Sequence, residues 1–504
     1  MPFLASGLSR VWAVLFLLAG LLAPFPQASA ATVLVRERLP RTNSNSSFTN
    51  TVAAKLAAFR SRPNIILILA DDLGYGDLGC YGQKKIKTPH LDQIAAEGMR
   101  FTQCYAGTCV CAPSRATLMT GRHTGHTRIR GNGEIPLGSN ETTVAEVLKR
   151  VGYDTGLIGK WGLGLDGSGA TPSRRGFDEF LGYLSQTHAQ DYYPTQLWRS
   201  SVMDFERGSG EFPLPIPRNV GGAKGLYSHD FFTSTATNFV RSYQNKPFFL
   251  VLSYTIPHAQ NELKNKGMVV PSEEPYAAED WPQAEKNKAA MITRLDRDVG
   301  GLLAQIKRLN LDSNTIVFFT SDNGPHNKGG VNPEFFQSSG PLRGIKRDLY
   351  EGGIRVPMIV RWPGHVPTNS VSDEPWAFWD FLPTVAALAR TATPDGLDGI
   401  SMLPTLLGQP QTNRHDFFYW EFHEKGSKQA VRMGDWKALR LAPGVPLEIY
   451  NLRSDPGETN DVAVAHSNIV TRIETYLRSA RTESDQWPLQ TAAEEAARRK
   501  RIAQ

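Results

Sequence analysis

The feature that most constrains this chain is a series of short, almost unbroken apolar runs, at residues 65–70, 155–158, 248–254, 315–320 and 356–360. A run without polar alternation has no solvent face, so each predicts a strand covered on both sides. The stretches between them carry helical spacing and helix punctuation. Thr88-Pro89 caps and starts a helix that stops at Gly98, Thr143 and Glu146 form a capping box with Gly152 as the stop, and an amphipathic pattern runs over about 285–309. Strands alternating with helices predict an α/β fold, a large mostly parallel sheet flanked by helices.

After a helical pattern at 378–389 the texture changes. Aromatic-rich strands are predicted at 417–422, 429–432, 436–441 and 447–452, divided by turns such as Gly434-Asp435 and Pro443-Gly444 and followed by a helix at about 469–480. The expectation is a small C-terminal α+β domain with an antiparallel sheet. The large domain is expected over 63–395 and the small one over 396–490, with a polar basic tail at 491–504 whose Arg498-Arg499-Lys500-Arg501 run is solvated. Residues 1–30 read as an export signal: Arg10, an apolar run at 11–23, then the small residues Ala28-Ser29-Ala30. Pro24 and Pro26 break the run short of the roughly 20 apolar residues that an anchor helix needs. A polar linker at 31–62 follows. The mature chain is expected to be secreted or periplasmic, with no membrane span.

The formal charge of +6, about +5 once Arg10 is removed, is spread among interspersed acids and bases. This is a mild bias toward anionic ligands, and the absence of a basic stripe argues against a nucleic-acid partner. Only four cysteines occur, Cys80, Cys104, Cys109 and Cys111, so no disulfide scaffold is expected. If Cys111 is consumed by modification, at most one bridge can form among the other three.

In open α/β sheets ligands bind beyond the carboxyl ends of the strands. There the apolar runs deliver Asp71-Asp72, Lys160, His258 and Ser321-Asp322-Asn323-Gly324. Asp71, Asp72, Asp322 and Asn323 together offer only oxygen donors, a set suited to a hard cation, Ca²⁺ or Mg²⁺, rather than to zinc. Singly, each cluster reads as an ordinary turn; two of them directly after buried strands favour a site. The most specific segment is Cys111-Ala112-Pro113-Ser114-Arg115 followed by Thr120-Gly121-Arg122. Pro113 is expected as the first helical residue and Gly121 as the stop, which places Cys111 at a helix N-terminus, where backbone N–H groups favour an anion.

That segment matches the sulfatase signature. The chain resembles the sulfatase family of the alkaline phosphatase superfamily from about Arg62 to the end of the C-terminal helix, through Gly159-Lys160-Trp161, Pro257-His258, Ser321-Asp322-Asn323-Gly324, Leu342-Arg343-Gly344, Tyr350-Glu351-Gly352-Gly353 and Tyr450-Asn451-Leu452. The resemblance implies that a separate maturation enzyme oxidises Cys111 to formylglycine. The hydrated aldehyde would attack sulfur beside one divalent metal held by Asp71, Asp72, residue 111, Asp322 and Asn323, and its second hydroxyl would then expel sulfate. It further implies that Arg115 holds the diol, that Lys160 and Lys346 grip sulfate oxygens, and that His258 is the general acid, shared with Lys346. One position departs: the family often has Lys-Trp-His, with that histidine helping to deprotonate the second hydroxyl, whereas here it is Gly162. His123, His126 and His188 are the candidates for the vacated role of base or for substrate contact, and residues 186–193 read as a pocket loop.

The implied substrate is a sulfated glycan or a small sulfate ester. Tyr192, Tyr193, Trp198, Trp420 and His423 favour a glycan over a membrane steroid. The rival readings are a phosphonate or phosphodiester hydrolase of the same superfamily and a non-catalytic sulfoglycan-binding protein that keeps an unmodified Cys111.

Overall fold

Residues 62–202 and 210–502 are described by the computed structural model of the chain. The expected export signal and, apart from Arg62, the expected linker lie outside these residues. The strands of the large sheet are β1 (Asn64–Ala70), β2 (Met99–Tyr105), β3 (Asp154–Lys160), β4 (Glu179–Tyr183), β5 (Gln196–Ser201), β6 (Phe212–Pro215), β7 (Phe248–Ser253), β8 (Thr315–Ser321), β9 (Arg355–Arg361), β10 (Ser370–Ser372) and β11 (Trp376–Ala377). Their order is β10-β2-β9-β8-β1-β7-β3-β4-β5-β6, with β11 also on β2. The centre, β8-β1-β7-β3-β4, is parallel; β9 pairs antiparallel with both β8 and β2, and β4-β5-β6 is antiparallel.

β1 shows why the central runs lack polar alternation. Ile65, Leu67 and Leu69 enter one hydrophobic cluster, while Ile66, Ile68 and Ala70 enter the cluster on the opposite face. Helices cover both faces, among them Pro89–Ala96, Cys111–Thr120, Val144–Lys149, Ser228–Ser242, Gln283–Arg308 and Phe381–Leu388. The capping box forms as expected, Thr143 Oγ1 accepting from Glu146 N and Glu146 Oε2 from Thr143 N. Pro113, by contrast, is the third residue of its helix rather than the first, and Cys111 itself opens it.

A second, antiparallel sheet is built from β12 (Phe418–His423), β13 (Ser427–Met433), β14 (Trp436–Arg440) and β15 (Glu448–Asn451). Phe418, Trp420 and Phe422 point to one side and share a cluster with Tyr105, Val110, Ile354 and Trp379 of the large sheet's region. Tyr419 points to the other side, beneath helix Ser467–Leu477. Charges seal the junction: buried Lys437 Nζ lies 2.8 Å from Glu351 and 3.4 Å from Glu458, and Arg130 is 3.0 Å from Glu421. The described residues accordingly form one compact unit.

One expectation changes, and two features take definite form. The C-terminal basic run is solvated, as expected, but belongs to helix Ala492–Ile502, whose Glu495 carboxylate is buried and accepts from Gly426 N at 2.6 Å. All four cysteines are free thiols. Trp420 and His423 do not face a ligand: Trp420 is fully buried and donates to Ala106 O, and His423 is buried between Glu421 and Ser427. No helix among the described residues is long and apolar enough to cross a membrane.

Candidate active site

The site forms where β1 and β8 end side by side. Their register pairs Ala70 with Ser321, so Asp71-Asp72 and Asp322-Asn323 emerge together from the same edge, tied by Asp322 N to Ala70 O at 3.1 Å and by Asp72 N to Asp322 Oδ1 at 3.1 Å. Asp72 takes a left-handed backbone conformation, φ 65°, which Asp tolerates better than most residues and which turns the chain back over the sheet edge. The helix Cys111–Thr120 is aimed at this edge. Ser114 Oγ donates to Asp322 O at 2.6 Å, and Arg115 reaches Asp322 Oδ2 through Nε at 2.9 Å and through Nη2 at 2.8 Å. Val110 provides no side-chain cap for this helix; Asn132 Oδ1 instead accepts from Ala112 N at 3.1 Å.

Cys111 Sγ thus lies 3.4 Å from Asp71 Oδ1 and 3.4 Å from Lys346 Nζ. Lys160, at the end of β3, is 2.7 Å from Asp71, and Lys346 is 2.6 Å from Asp72, which also receives Asn323 Nδ2 at 2.7 Å and faces His258 Nε2 at 3.5 Å. Three carboxylates, Asp71, Asp72 and Asp322, therefore meet three basic side chains, Arg115, Lys160 and Lys346, all buried. An unpaired charge here would cost many kcal/mol, and the pairing offsets that cost.

The electrostatics follow from this balance. Burial alone would raise Asp71, but Lys160, His258, Arg115 and Lys346 outweigh it and hold its carboxyl far below the usual range. Asp72 is likewise drawn down to about 2, against burial, chiefly by Lys346. Asp322 is pushed up to about 6 by burial and by the charge of Asp71, which Arg115 only partly offsets. Burial, then Asp322 and Asp71, push the Cys111 thiol well up, so as a plain cysteine it is a poor nucleophile. Asp72 and its charge partners hold Lys346 protonated in spite of burial, whereas burial and Lys346 lower His258 to about 3. His258 Nδ1–H donates to Ala259 O at 2.6 Å, leaving Nε2 to face Asp72.

Cys111, Asp72, Lys160, His258 and Lys346 line the floor of a cavity of about 240 Å³, with Asp71, Arg115, Asp322 and Asn323 bonded beneath or beside them. Gln186, Thr187 and Gln190 of the expected pocket loop line its wall, and residues outside the sequence-derived set complete it: Asn132, Glu134, Asn261, His326, Lys328 and Arg347. Asn132 and Glu134 lie in the long connection between the helices Cys111–Thr120 and Val144–Lys149. His326, two residues past Gly324, is buried, accepts from Lys328 N through Nδ1 and lies 3.1 Å from Pro257 O through Nε2.

The three candidate histidines are not brought to the cavity. His123 and His126 lie beyond the opposite end of the helix Cys111–Thr120, about 15 Å away at 1.5 Å per residue, where both face Asp398. His188 packs edge-on against Tyr183, and its neighbours Gln186, Thr187 and Gln190 face the cavity instead. Tyr192, expected as a pocket residue, is core: its hydroxyl donates to Thr255 O and His258 O and so fixes the backbone that carries His258. The space a side chain at position 162 would need is already filled. Gly162 has φ 71°, and a Cβ there would lie 2.0 Å from Gln186 Nε2, which donates to Gly162 O at 3.1 Å. Gln186 stands where the expected histidine is missing.

Residues 63–391 match the family profile described as Sulfatase, and residues 345–483 match the one described as N-sulphoglucosamine sulphohydrolase, C-terminal. Arylsulfatase A of Bos taurus is 36% identical over 464 residues, covering 86% of this chain and 83% of the relative. N-acetylgalactosamine-6-O-sulfatase of Bacteroides thetaiotaomicron is 30% identical over 495 residues, covering 84% of this chain and 93% of the relative. Among solved structures, Ps i-CgsB in complex with k-i-k-neocarrahexaose superposes with a TM-score of 0.69 at 31% identity, over 87% of this chain and 96% of that one. Fold and charged floor together define a hydrolase of the alkaline phosphatase superfamily. Within it, the chain belongs to the sulfatase family and is a sulfuric ester hydrolase.

Proposed function

We propose that this enzyme removes sulfate from a sulfated carbohydrate, with residue 111, matured to formylglycine, as nucleophile and one divalent metal, Ca²⁺ or Mg²⁺, beside it. The observation that carries the reading is the floor of the cavity. Asn323 Oδ1 is buried there without a hydrogen-bond partner, next to carboxylates that converge on Cys111. An orphaned carbonyl oxygen among three carboxylates fits a hard cation held by Asp71, Asp72, Asp322 and Asn323, with residue 111 alongside. When bound, that ion supplies Lewis acidity toward a sulfate oxygen and acidifies the nucleophile. The charges fit as well: the protein groups balance, so a divalent ion leaves a positive surplus that an anionic ester partly neutralises.

The chain's own residues then have distinct tasks. Oxidation of Cys111 by a maturation enzyme replaces a thiol that this environment keeps protonated. Arg115, bonded to both Asp71 and Asp322, fixes those carboxylates and the first turn of the helix. Lys160 and Lys346 line the floor, placed to hold sulfate oxygens as negative charge develops. The protonated Lys346 is the group able to give a proton to the departing sugar oxygen, while His258, neutral here with its Nδ1–H donated to Ala259 O, presents Nε2 as an acceptor. Gln186 has no proton-accepting nitrogen, so no base occupies the position of residue 162.

A carbohydrate suits the upper wall, where Asn132, Glu134, Gln186, Thr187, Gln190 and Asn261 offer amide, hydroxyl and carboxylate groups to sugar hydroxyls. Among the described residues no Phe, Tyr or Trp side chain lines the cavity, so the recognition proposed is by hydrogen bonds rather than ring stacking. The resemblance of the chain to a galactosamine sulfatase and to a carrahexaose-bound structure supports the same class. Export through the N-terminal signal is proposed alongside, which places the enzyme where sulfated polysaccharides occur.

The test is to produce the chain with and without a maturation enzyme. The expected outcome is an aldehyde at residue 111 by peptide mass, turnover of an aryl sulfate far above that of an aryl phosphate diester, and loss of turnover on chelation that added Ca²⁺ or Mg²⁺ restores. Turnover in the unmodified, metal-free protein, or a preference for the diester, overturns the proposal.

A further inference from the structure

A second cleft opens beside the sulfate cavity and shares part of its wall. It measures about 560 Å³ and is lined in part by His326, Lys328, Lys346 and Arg347, all of which also line the first cavity, so the two are continuous. Its far wall comes from the small sheet, from Phe422, Glu424, Lys425 and Lys428 around the β12–β13 hairpin.

The charges of this cleft are unbalanced. Lys346 is engaged by Asp72 at 2.6 Å, and Arg347 by Glu424 at 2.7 Å. Asp348 turns an oxygen to Ile345 N at 3.0 Å. Lys328, Lys425 and Lys428 remain, and among the described residues no carboxylate pairs with any of them. Three ammonium groups around one concavity repel each other, and they focus a positive potential where an anion would relieve the repulsion.

The hairpin that carries two of them is held in place. Lys425 has φ 57° and Gly426 φ 91°, a tight left-handed turn, and the C-terminal segment clasps it: Gly426 N donates to Glu495 and Ser427 N to Gln490 O at 2.7 Å. The helix Ala492–Ile502, read from the sequence as a polar basic tail, therefore sets where these lysines stand.

We propose that Lys328, Lys425 and Lys428 form a subsite for a second anionic group, a sulfate or carboxylate, carried by the same glycan whose scissile sulfate occupies the first cavity. The proposal rests on the reading of the first cavity as the sulfate site. It makes the substrate a multiply charged oligosaccharide rather than an isolated sulfate ester.

The experiment compares kcat/KM on monosulfated disaccharides with their counterparts carrying one further sulfate on the neighbouring sugar, in the metal-loaded, matured enzyme. At least one disulfated substrate should be favoured by about tenfold or more, equivalent to about 1.4 kcal/mol, and the preference should shrink as salt rises. In Lys425→Ala/Lys428→Ala the ratio should fall toward one, whereas Lys425→Arg/Lys428→Arg, which keeps the charge, should retain most of it. A ratio near one for every pair in the native enzyme overturns the subsite and leaves the sulfatase reading intact. So does an unchanged ratio in the alanine variant. Failure to release sulfate from any of these compounds or from an aryl sulfate overturns both.

Discussion

The helix Cys111–Thr120 has an acid and histidine cluster at each end, and the two differ in what they leave unfinished. At its start, ligand atoms of Asp71, Asp72, Cys111 and His258 lie within 4.8 Å of one another; beyond its end, so do those of His123, His126 and Asp398. By residue type alone, with two histidines and a carboxylate, the cluster beyond the end is the better metal site. Its bonds, however, are closed among themselves. Asp398 Oδ1 lies 2.8 Å from His126 Nδ1 and 3.5 Å from His123 Nε2, Asp398 Oδ2 accepts from His123 N at 2.9 Å, and His123 Nδ1 accepts from Gly125 N at 3.1 Å. The two rings stack at 4.3 Å. The cluster at the start instead retains an unbonded Asn323 Oδ1, a balanced set of six charges and a cavity above it. Chemistry belongs to the end with unmet bonding that faces a void; the other end is a clasp joining the segment after the helix to the chain near Asp398.

The comparison is broken most easily at Cys111. Cys111→Ala should lower sulfate release by at least about 10⁴-fold, in line with the removal of other enzymic nucleophiles, while the thermal midpoint moves little; both are read on one preparation by aryl sulfate turnover and calorimetry. Undiminished turnover would mean that the nucleophile lies elsewhere. Asp398→Asn should show the reverse pattern. Losing a half-buried charge-assisted pair should destabilise the fold by about 1–3 kcal/mol in urea titration, with kcat/KM per folded molecule within about twofold of native. A large loss of kcat at unchanged stability would make the far cluster part of the catalytic apparatus.

The smallest effect sharpens the contrast through pH. Burial, reinforced by His126 and only partly opposed by Asp398, lowers His123 from 6.5 to about 4. The folded state therefore binds this proton less readily than the unfolded chain, and the contribution of neutral His123 is complete above pH 6.5 and lost as the pH falls through about 4. Asp398, held low by its histidines against burial, shifts stability in the same direction below the ordinary carboxylate range. The unfolding midpoint of the native protein should drop more steeply between pH 6.5 and 4 than that of His123→Gln. Parallel curves would contradict the buried neutral histidine.

Much of this was legible in the sequence, for reasons that differ by element. β1, β7 and β8 announce themselves because burial on both faces removes polar alternation. β5, Gln196–Ser201, and β6, Phe212–Pro215, do not, being antiparallel strands near the sheet's edge with partly exposed residues and, in β6, two prolines. Helix Ala492–Ile502 was hidden by its polar surface; its one buried anchor, Glu495, is indistinguishable by type from its solvated neighbours. The missing histidine at Gly162 was visible, but not that Gln186 had moved into its space.

The sequence by itself determined the class of sheet, the strand ends that would carry oxygen donors and the helix N-terminus that would carry Cys111, because apolar period, capping and motif spacing act over a few residues. Only the tertiary structure decided which groups complete the site. Convergence of Asp72, Lys346 and His258, the exclusion of His123 and His126, and the alignment of Lys328 with the hairpin lysines are contacts between segments far apart in the chain. They are fixed by strand order and by the docking of the small sheet, and no local pattern of residues encodes them.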